Sequence, residues 1–191
     1  MHTHNQEKKN IRQEIAALKK QIAENTAICL SNKICSRLTQ TNTFQNAGCI
    51  ALYYAMKDEV QTSSLIEEWH LQKKIVLPVI SGEDIHFHRY AGNNNLKMGA
   101  LGILEPVSTQ LVSPGDIDLF IVPGVAFDRK YNRLGRGKGY YDRFLSGIDK
   151  PTIGLCYDFQ LLDHIPAEPH DKKMTMIITE TVLITTDANM R

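Results

Sequence analysis

The sequence predicts an α/β fold: one three-layer domain over residues 1–191, its mostly parallel sheet covered by helices on both faces. Three observations lead there. Short apolar runs rich in strand-favouring residues alternate with segments of helical periodicity. The best of those runs are continuously apolar rather than alternating, as expected of strands buried on both faces. The chain of 191 residues, 42% hydrophobic and 23% charged, is long enough to bury one sizeable core.

Taken in order, residues 6–38 are helical, with Ile11, Ile15, Leu18 and Ile22 recurring at three- and four-residue steps among Lys, Glu and Gln. A second amphipathic helix follows Asn25 and Thr26, with Ile28, Ile34 and Leu38 turned inward. "CIALYYAM" (49–56) reads as a buried strand. Tyr53 and Tyr54 alternate across it, so one faces the core and the other a ligand. "TSSLIEEWHLQKK" begins with hydroxyl caps and continues as a helix on which Trp69 is a packing anchor. "IVLPVI" is the next strand and "IHFHRY" a half-exposed one. His86 and His88 share its outer face, and with no third ligand in the pattern they are ordinary surface residues.

"AGNNNLKMGALG" (91–102) is a loop by its asparagine run and glycines. "IDLFIVPGVAF" (117–127) is the most apolar strand. A short helix starts near Gly139 and runs through "YYDRFLSG", and "PTIGLCYD", "MTMIITE" and "VLITT" are further strands.

Formal net charge is +1, so no global attraction to nucleic acid or acidic membrane is expected, and any electrostatic function must come from local clusters. Cys29, Cys35, Cys49 and Cys156 have no C-x-x-C spacing and read as reduced thiols. No apolar run is long enough to span a membrane, and the first residues lack a secretory signal. A cytoplasmic, soluble protein is the expectation.

One local cluster stands out. "NRLGRGKGYYDRFL" (132–145) follows the most apolar strand, at the carboxyl end where open α/β sheets bind ligands. Gly135, Gly137 and Gly139 let the backbone take positive φ, so several N–H groups can converge on one anion. Arg136 and Lys138 interleave cations among them, and the following helix turns its N-terminus to the same place. Together these make a phosphate site.

It is not a Walker A loop, because Gly139 rather than Ser or Thr follows Lys138. Nor is it G-x-G-x-x-G, whose third glycine would fall on Tyr140. With no loop hydroxyl for Mg²⁺, Asp142 is the substitute oxygen ligand. A solvated basic loop and a single-stranded nucleic-acid site with Tyr140 and Tyr141 as stacking platforms are the competing readings.

The stretch "PGVAFDRKYNRLGRGKGYYDRFL" resembles the signature of the 5-formyltetrahydrofolate cyclo-ligase family. "KKNIR", "YYAMKDEVQT", "GILEP" and "EPHDKKM" resemble further family segments in the same order, so the resemblance covers nearly the whole chain. It implies ATP- and Mg²⁺-dependent closure of 5-formyltetrahydrofolate to 5,10-methenyltetrahydrofolate with release of ADP and phosphate. It also implies a monomer with small-molecule substrates and no nucleic-acid or membrane partner.

Carried over, Lys8, Lys9, Asn10, Ile11 and Arg12 would contact ATP, as would Arg133, Leu134, Gly135, Arg136, Gly137, Lys138, Gly139, Tyr140 and Tyr141. Tyr54 and Glu59 would contact the folate, with Arg136 to Tyr140 shared by both ligands. Arg136, Lys138 and Tyr140 would act in catalysis, and Asp142 and Asp171 would hold Mg²⁺. Two positions depart from the pattern: Met98 stands where some members carry an aromatic, and Thr175 where some carry an acid. A phosphosugar isomerase or CoA-transferase-like enzyme is the rival on the same fold class, and a small RNA-binding module the rival from another.

Overall fold

A computed structural model describes residues 2–99, 102–107, 110–168 and 171–190. Its centre is an eight-stranded sheet built from β1 (Cys49–Ala51), β2 (Lys74–Ser81), β3 (Asp84–Arg89), β6 (Leu111–Val112), β7 (Leu119–Val122), β10 (Thr152–Leu155), β12 (Met176–Ile178) and β13 (Leu183–Thr185). The spatial order is β13-β12-β10-β7-β1-β2-β3-β6. From β12 to β2 the pairs are parallel, in registers such as Ile50 with Leu119 and with Ile75. β13, β3 and β6 join antiparallel at the edges, so the sheet is mixed around a parallel centre. The parallel strands β1, β7, β10 and β12 are buried throughout, matching their unbroken apolar runs.

Successive residues of each strand serve opposite faces. Ile50, Ile75, Leu119, Ile121 and Ile153 form one core with Ile34 and Leu38 of α2 (Glu24–Thr39), Phe44 of α3 (Asn42–Asn46), and Leu65 and Ile66 of α4 (Ser63–Trp69). Ala51, Val76, Phe120, Val122 and Ile177 form the other with Leu145 of α5 (Tyr140–Leu145) and Phe127. Trp69 anchors the first core edge-on against Phe44, centroids 4.9 Å apart.

Helix α1 (His2–Lys19) does not cover the main sheet. Ile11 and Ile15 pack on Val125, Ala126, Leu134 and Ile165, next to a small sheet of β8 (Ala126–Asp128), β9 (Arg133–Leu134) and β11 (Leu161–Leu162). That docking lays Arg12 beside the glycine loop, which lies between β9 and α5, and Lys8 beside Asp171.

Four expectations about elements are corrected. The run 117–127 is two strands, because Pro123 has no N–H for the ladder and Gly124 sits where a Cβ would lie 2.6 Å from Phe127 Cζ. The strand in 49–56 ends at Ala51, after which the chain turns toward Asp58 and Glu59. Loop 91–102 contains β4 (Leu96–Met98), paired antiparallel with β5 (Leu104–Pro106); its Ala100 and Leu101 lie outside the described residues. Ile28 is 45% exposed, since the inward face of α2 runs through Ser31, Ile34 and Leu38 with Ala27 beside it.

Candidate active site

Four segments meet at the carboxyl ends of β1, β2 and β7: residues 53–59, the β2–β3 hairpin, the 123–142 segment and the β4–β5 hairpin. They enclose a cavity of about 310 Å³. Helix α1 touches the loop through Arg12 but does not line the cavity. Its lining is apolar at Pro78, Ile80, Ile85 and Ile103 with Tyr54, and polar at Arg136, Lys138, Tyr140 and Asp142. A small-molecule site commonly has this division, apolar walls with a few convergent polar groups.

The glycine loop is shaped as its sequence requires at two points. Gly137 has φ +96° and Gly139 φ +71°, the left-handed region that side-chain-bearing residues avoid. Gly135 serves differently, leaving room for the Arg133 guanidinium, whose Nη1 would lie 3.0 Å from a Cβ there. Upstream, the fully buried Asp128 pins the β8–β9 turn. Its carboxylate accepts from the amides of Lys130, Asn132 and Ile165 and from Asn132 Nδ2, all at 2.8–2.9 Å. Helix α5 has six residues, so fewer aligned peptides contribute to its dipole than the sequence suggested.

Most cations of the site already have partners. Arg133, with 4% of its side chain exposed, donates to Asp142 Oδ1 and to Pro123 O, under the ring of Tyr141. Arg136 donates to Asp58 and, at 3.1 Å, to Glu59 Oε1. Arg12 Nε donates to Gly135 O at 2.8 Å, and Lys8 pairs with Asp171 at 3.2 Å. Lys138 is exposed and has no side-chain partner among the described residues. Of the segment 8–12, Lys8, Ile11 and Arg12 turn toward the protein body, whereas Lys9 and Asn10 are exposed.

Tyr53 is buried, its hydroxyl donating to Val60 O, and Tyr54 is half-buried; both border the cavity, and both follow the end of β1, so strand alternation does not separate them. Tyr140 and Tyr141 both reach the cavity. The Tyr141 hydroxyl is buried without a hydrogen-bond partner among the described residues. Burial, and then the charge of Glu59, push its phenol up, against the opposing effect of Arg133. Met98 is 68% exposed on β4, away from the cavity wall. Thr175 hydrogen-bonds Thr152 across β10 and β12, a strand-pinning role. His86 is exposed and His88 half-buried on β3.

Two carboxylates matter here that sequence reasoning passed over. Asp58 ties Arg136 to Lys19, whose Nζ lies 3.2 Å away, and so braces the loop against α1. Burial pushes the Asp58 carboxyl up, but Lys19 and Arg136 outweigh it and leave the group below its ordinary value. A depressed carboxylate stabilises fully above its unfolded value, about 3.9, and loses that contribution as pH falls through the lower folded one. The thermal midpoint of Asp58→Asn should therefore lie below wild type at pH 6 and converge with it on acidification below about pH 4. A constant offset between the two across that range would deny Asp58 this role. The second carboxylate is Glu105, 5% exposed and lining the cavity, within "GILEP". Its signal was an acidic residue set in an apolar run.

The profile of the 5-formyltetrahydrofolate cyclo-ligase family matches residues 4–180. The chain belongs to this family. Among its relatives, the 5-formyltetrahydrofolate cyclo-ligase of Haemophilus influenzae is 37% identical over 136 residues, covering 66% of this chain and 73% of that one. The mouse enzyme of the same name is 28% identical over 93% of this chain and 96% of its own. The NMR structure of Aquifex aeolicus 5,10-methenyltetrahydrofolate synthetase superposes with a TM-score of 0.87 at 34% identity, covering 95% of this chain and 94% of the other. The Mycoplasma pneumoniae synthetase superposes at 0.72 and 30% identity, over 91% and 98%. The cyclo-ligase fold is thus shared along nearly the full length. No described helix is long and apolar enough to cross a membrane. In the family segment "EPHDKKM", Pro169 and His170 lie outside the described residues.

Proposed function

We propose that the protein, acting as one domain, closes 5-formyltetrahydrofolate to 5,10-methenyltetrahydrofolate with conversion of ATP to ADP and phosphate. One observation carries this reading: an apolar-walled cavity opens directly onto a glycine loop whose Lys138 has no described partner, in a chain of the cyclo-ligase family. The apolar lining suits a pterin and the glycine loop a polyphosphate.

A formamide is a poor electrophile and its oxygen a poor leaving group. In the proposed course the formyl oxygen attacks the γ-phosphorus, the bond to ADP breaks, and an imidate-like phosphate forms. The folate N10 then attacks the formyl carbon, loses its proton, and phosphate departs with the former formyl oxygen. No protein nucleophile is needed; positioning and charge stabilisation suffice. Lys138 and Arg136 meet the charge on the phosphoryl group in flight, the amides of 135–139 hold phosphate oxygens, and Tyr140 holds the reacting centre. Lys8, Ile11 and Arg12 border the nucleotide. Glu59 acts on the folate side together with Tyr54, and through its bond to Arg136.

Mg²⁺ is assigned to Asp142 and Asp171. The donors fit: both are hard carboxylate oxygens near the α1 face that bears Lys8 and Arg12, with Asp171 bound to Lys8 and Asp142 close enough to Arg12 to favour its charged form against burial. Mg²⁺ commonly takes one or two carboxylates and completes its shell with phosphate oxygens and water. When bound it would neutralise charge on the triphosphate.

The reading is tested by following ATP hydrolysis and the product's absorbance with and without 5-formyltetrahydrofolate. Hydrolysis that needs the folate and yields one methenyl product per ADP supports it; folate-independent hydrolysis refutes it. Asp142→Asn, which removes a formal negative charge, is expected to raise the Mg²⁺ concentration for half-maximal rate by roughly tenfold. An unchanged Mg²⁺ dependence would leave Asp142 as a partner of Arg133 alone.

A further inference from the structure

Glu105 lines the same cavity as Lys138. It stands on β5, over the carboxyl end of β2, where the Ile80 amide donates to its Oε1 at 3.3 Å. Its surroundings are apolar, with Pro78, Ile85 and Ile103 on the same wall. Among the described residues it has no ion pair, and its second oxygen has no hydrogen bond; Lys97, opposite it in the β4–β5 register, is exposed and does not pair with it.

The hairpin is built to hold this carboxylate. A Cβ at Gly99 would sit 2.1 Å from Glu105 Cδ and 2.3 Å from Oε2, so a side chain there would displace it. A carboxylate seated in an apolar wall with one long hydrogen bond is costly unless something else bonds to it. The cavity's other buried carboxylate, Glu59, already uses Oε1 for Arg136 and Oε2 for the Met56 amide at 3.0 Å.

We propose that Glu105 is the residue that recognises the amino-pyrimidinone edge of the substrate, accepting hydrogen bonds from its N3–H and 2-amino groups. This rests on the folate reading given above. The two donors lie side by side and point the same way, like the fork of a guanidinium, and a carboxylate accepts such a pair in parallel. Adenine offers its amino group beside an acceptor nitrogen, so it cannot satisfy both oxygens. Glu105 therefore selects pterin over the adenine of ATP, and orients the N5-formyl group toward the loop.

The test uses the full chain with 5-formyltetrahydrofolate and its 2-desamino-2-methyl analogue. Wild type should turn over the parent and show a KM for the analogue about 10- to 100-fold higher, the effect of losing a hydrogen bond to a charged group. Glu105→Gln should raise KM for the parent by a similar factor, keep KM for ATP and the thermal midpoint near wild type, and erase the difference between parent and analogue. The inference is overturned if wild type treats the two compounds alike, a result independent of whether any variant folds. It is equally overturned if Glu105→Gln keeps the wild-type preference. If wild type closes neither compound, the folate reading itself fails and this inference with it, an outcome seen before any variant is made.

Discussion

Lys138→Ala should lower kcat by about 10²- to 10³-fold while leaving the thermal midpoint unchanged. The size is that of removing one preorganised charge from a developing transition state. The stability expectation follows from exposure: the side chain is in solvent and has no described partner to lose. Among the site's basic residues this combination is particular to Lys138. Arg133 and Arg136 hold buried or half-buried carboxylates, so truncating either would disturb the loop as well as the chemistry. Single-turnover formation of the methenyl product at saturating ATP separates the alternatives. A fall in rate with ATP affinity nearly kept supports a transition-state role. Wild-type kcat would sink it, and a loss confined to ATP affinity would make Lys138 a binding residue only.

Gly154→Ala should be the most damaging single methyl in the chain. Gly154 lies in the middle of β10, and a Cβ there would meet Phe127 Cε1 at 2.3 Å. The ring cannot retreat, because Gly124 flanks it and a Cβ there would be 2.6 Å from Cζ. Phe127 is fully buried, so the clash must be absorbed by moving β8 or β10. Overpacking of this kind costs about 2–3 kcal/mol, which for a chain of this size lowers the thermal midpoint by roughly 5–10 °C. Because Phe127 sits between Gly124 and Arg133, activity should fall below what instability alone explains. The double variant Gly154→Ala with Phe127→Leu, which trades the ring for a smaller side chain, should recover part of the midpoint. An unchanged midpoint in the single variant would show that the two strands yield freely here.

The parallel centre of the sheet was legible because β1, β7, β10 and β12 are buried on both faces, and burial on both faces leaves continuous apolar runs. The break at Pro123–Gly124 was less legible: apolar character continues through it into β8, and hydrophobicity does not distinguish one long strand from two that serve different sheets. The loop's glycine and charge pattern was visible in "LGRGKG", since glycine spacing and charge are local properties. Its electrostatic state was not, because Arg136 meets Asp58 and Glu59 across 77 and more residues, and Arg12 meets Gly135 across 123. Lys9 and Asn10 share the family segment with Lys8 and Arg12 yet face solvent, a consequence of which side of α1 docks on β8.

By itself the sequence determined the family, the α/β alternation of elements and the glycine-rich segment at the candidate site, since each rests on residue type and short-range spacing. Only the tertiary structure decided which cations already have partners, that Lys138 is exposed without one among the described residues, and that Glu105 lines the cavity. Those outcomes depend on pairings between residues far apart in the chain, and on a carboxylate whose meaning comes from the apolar wall around it. Neither leaves a periodic or compositional trace in the sequence.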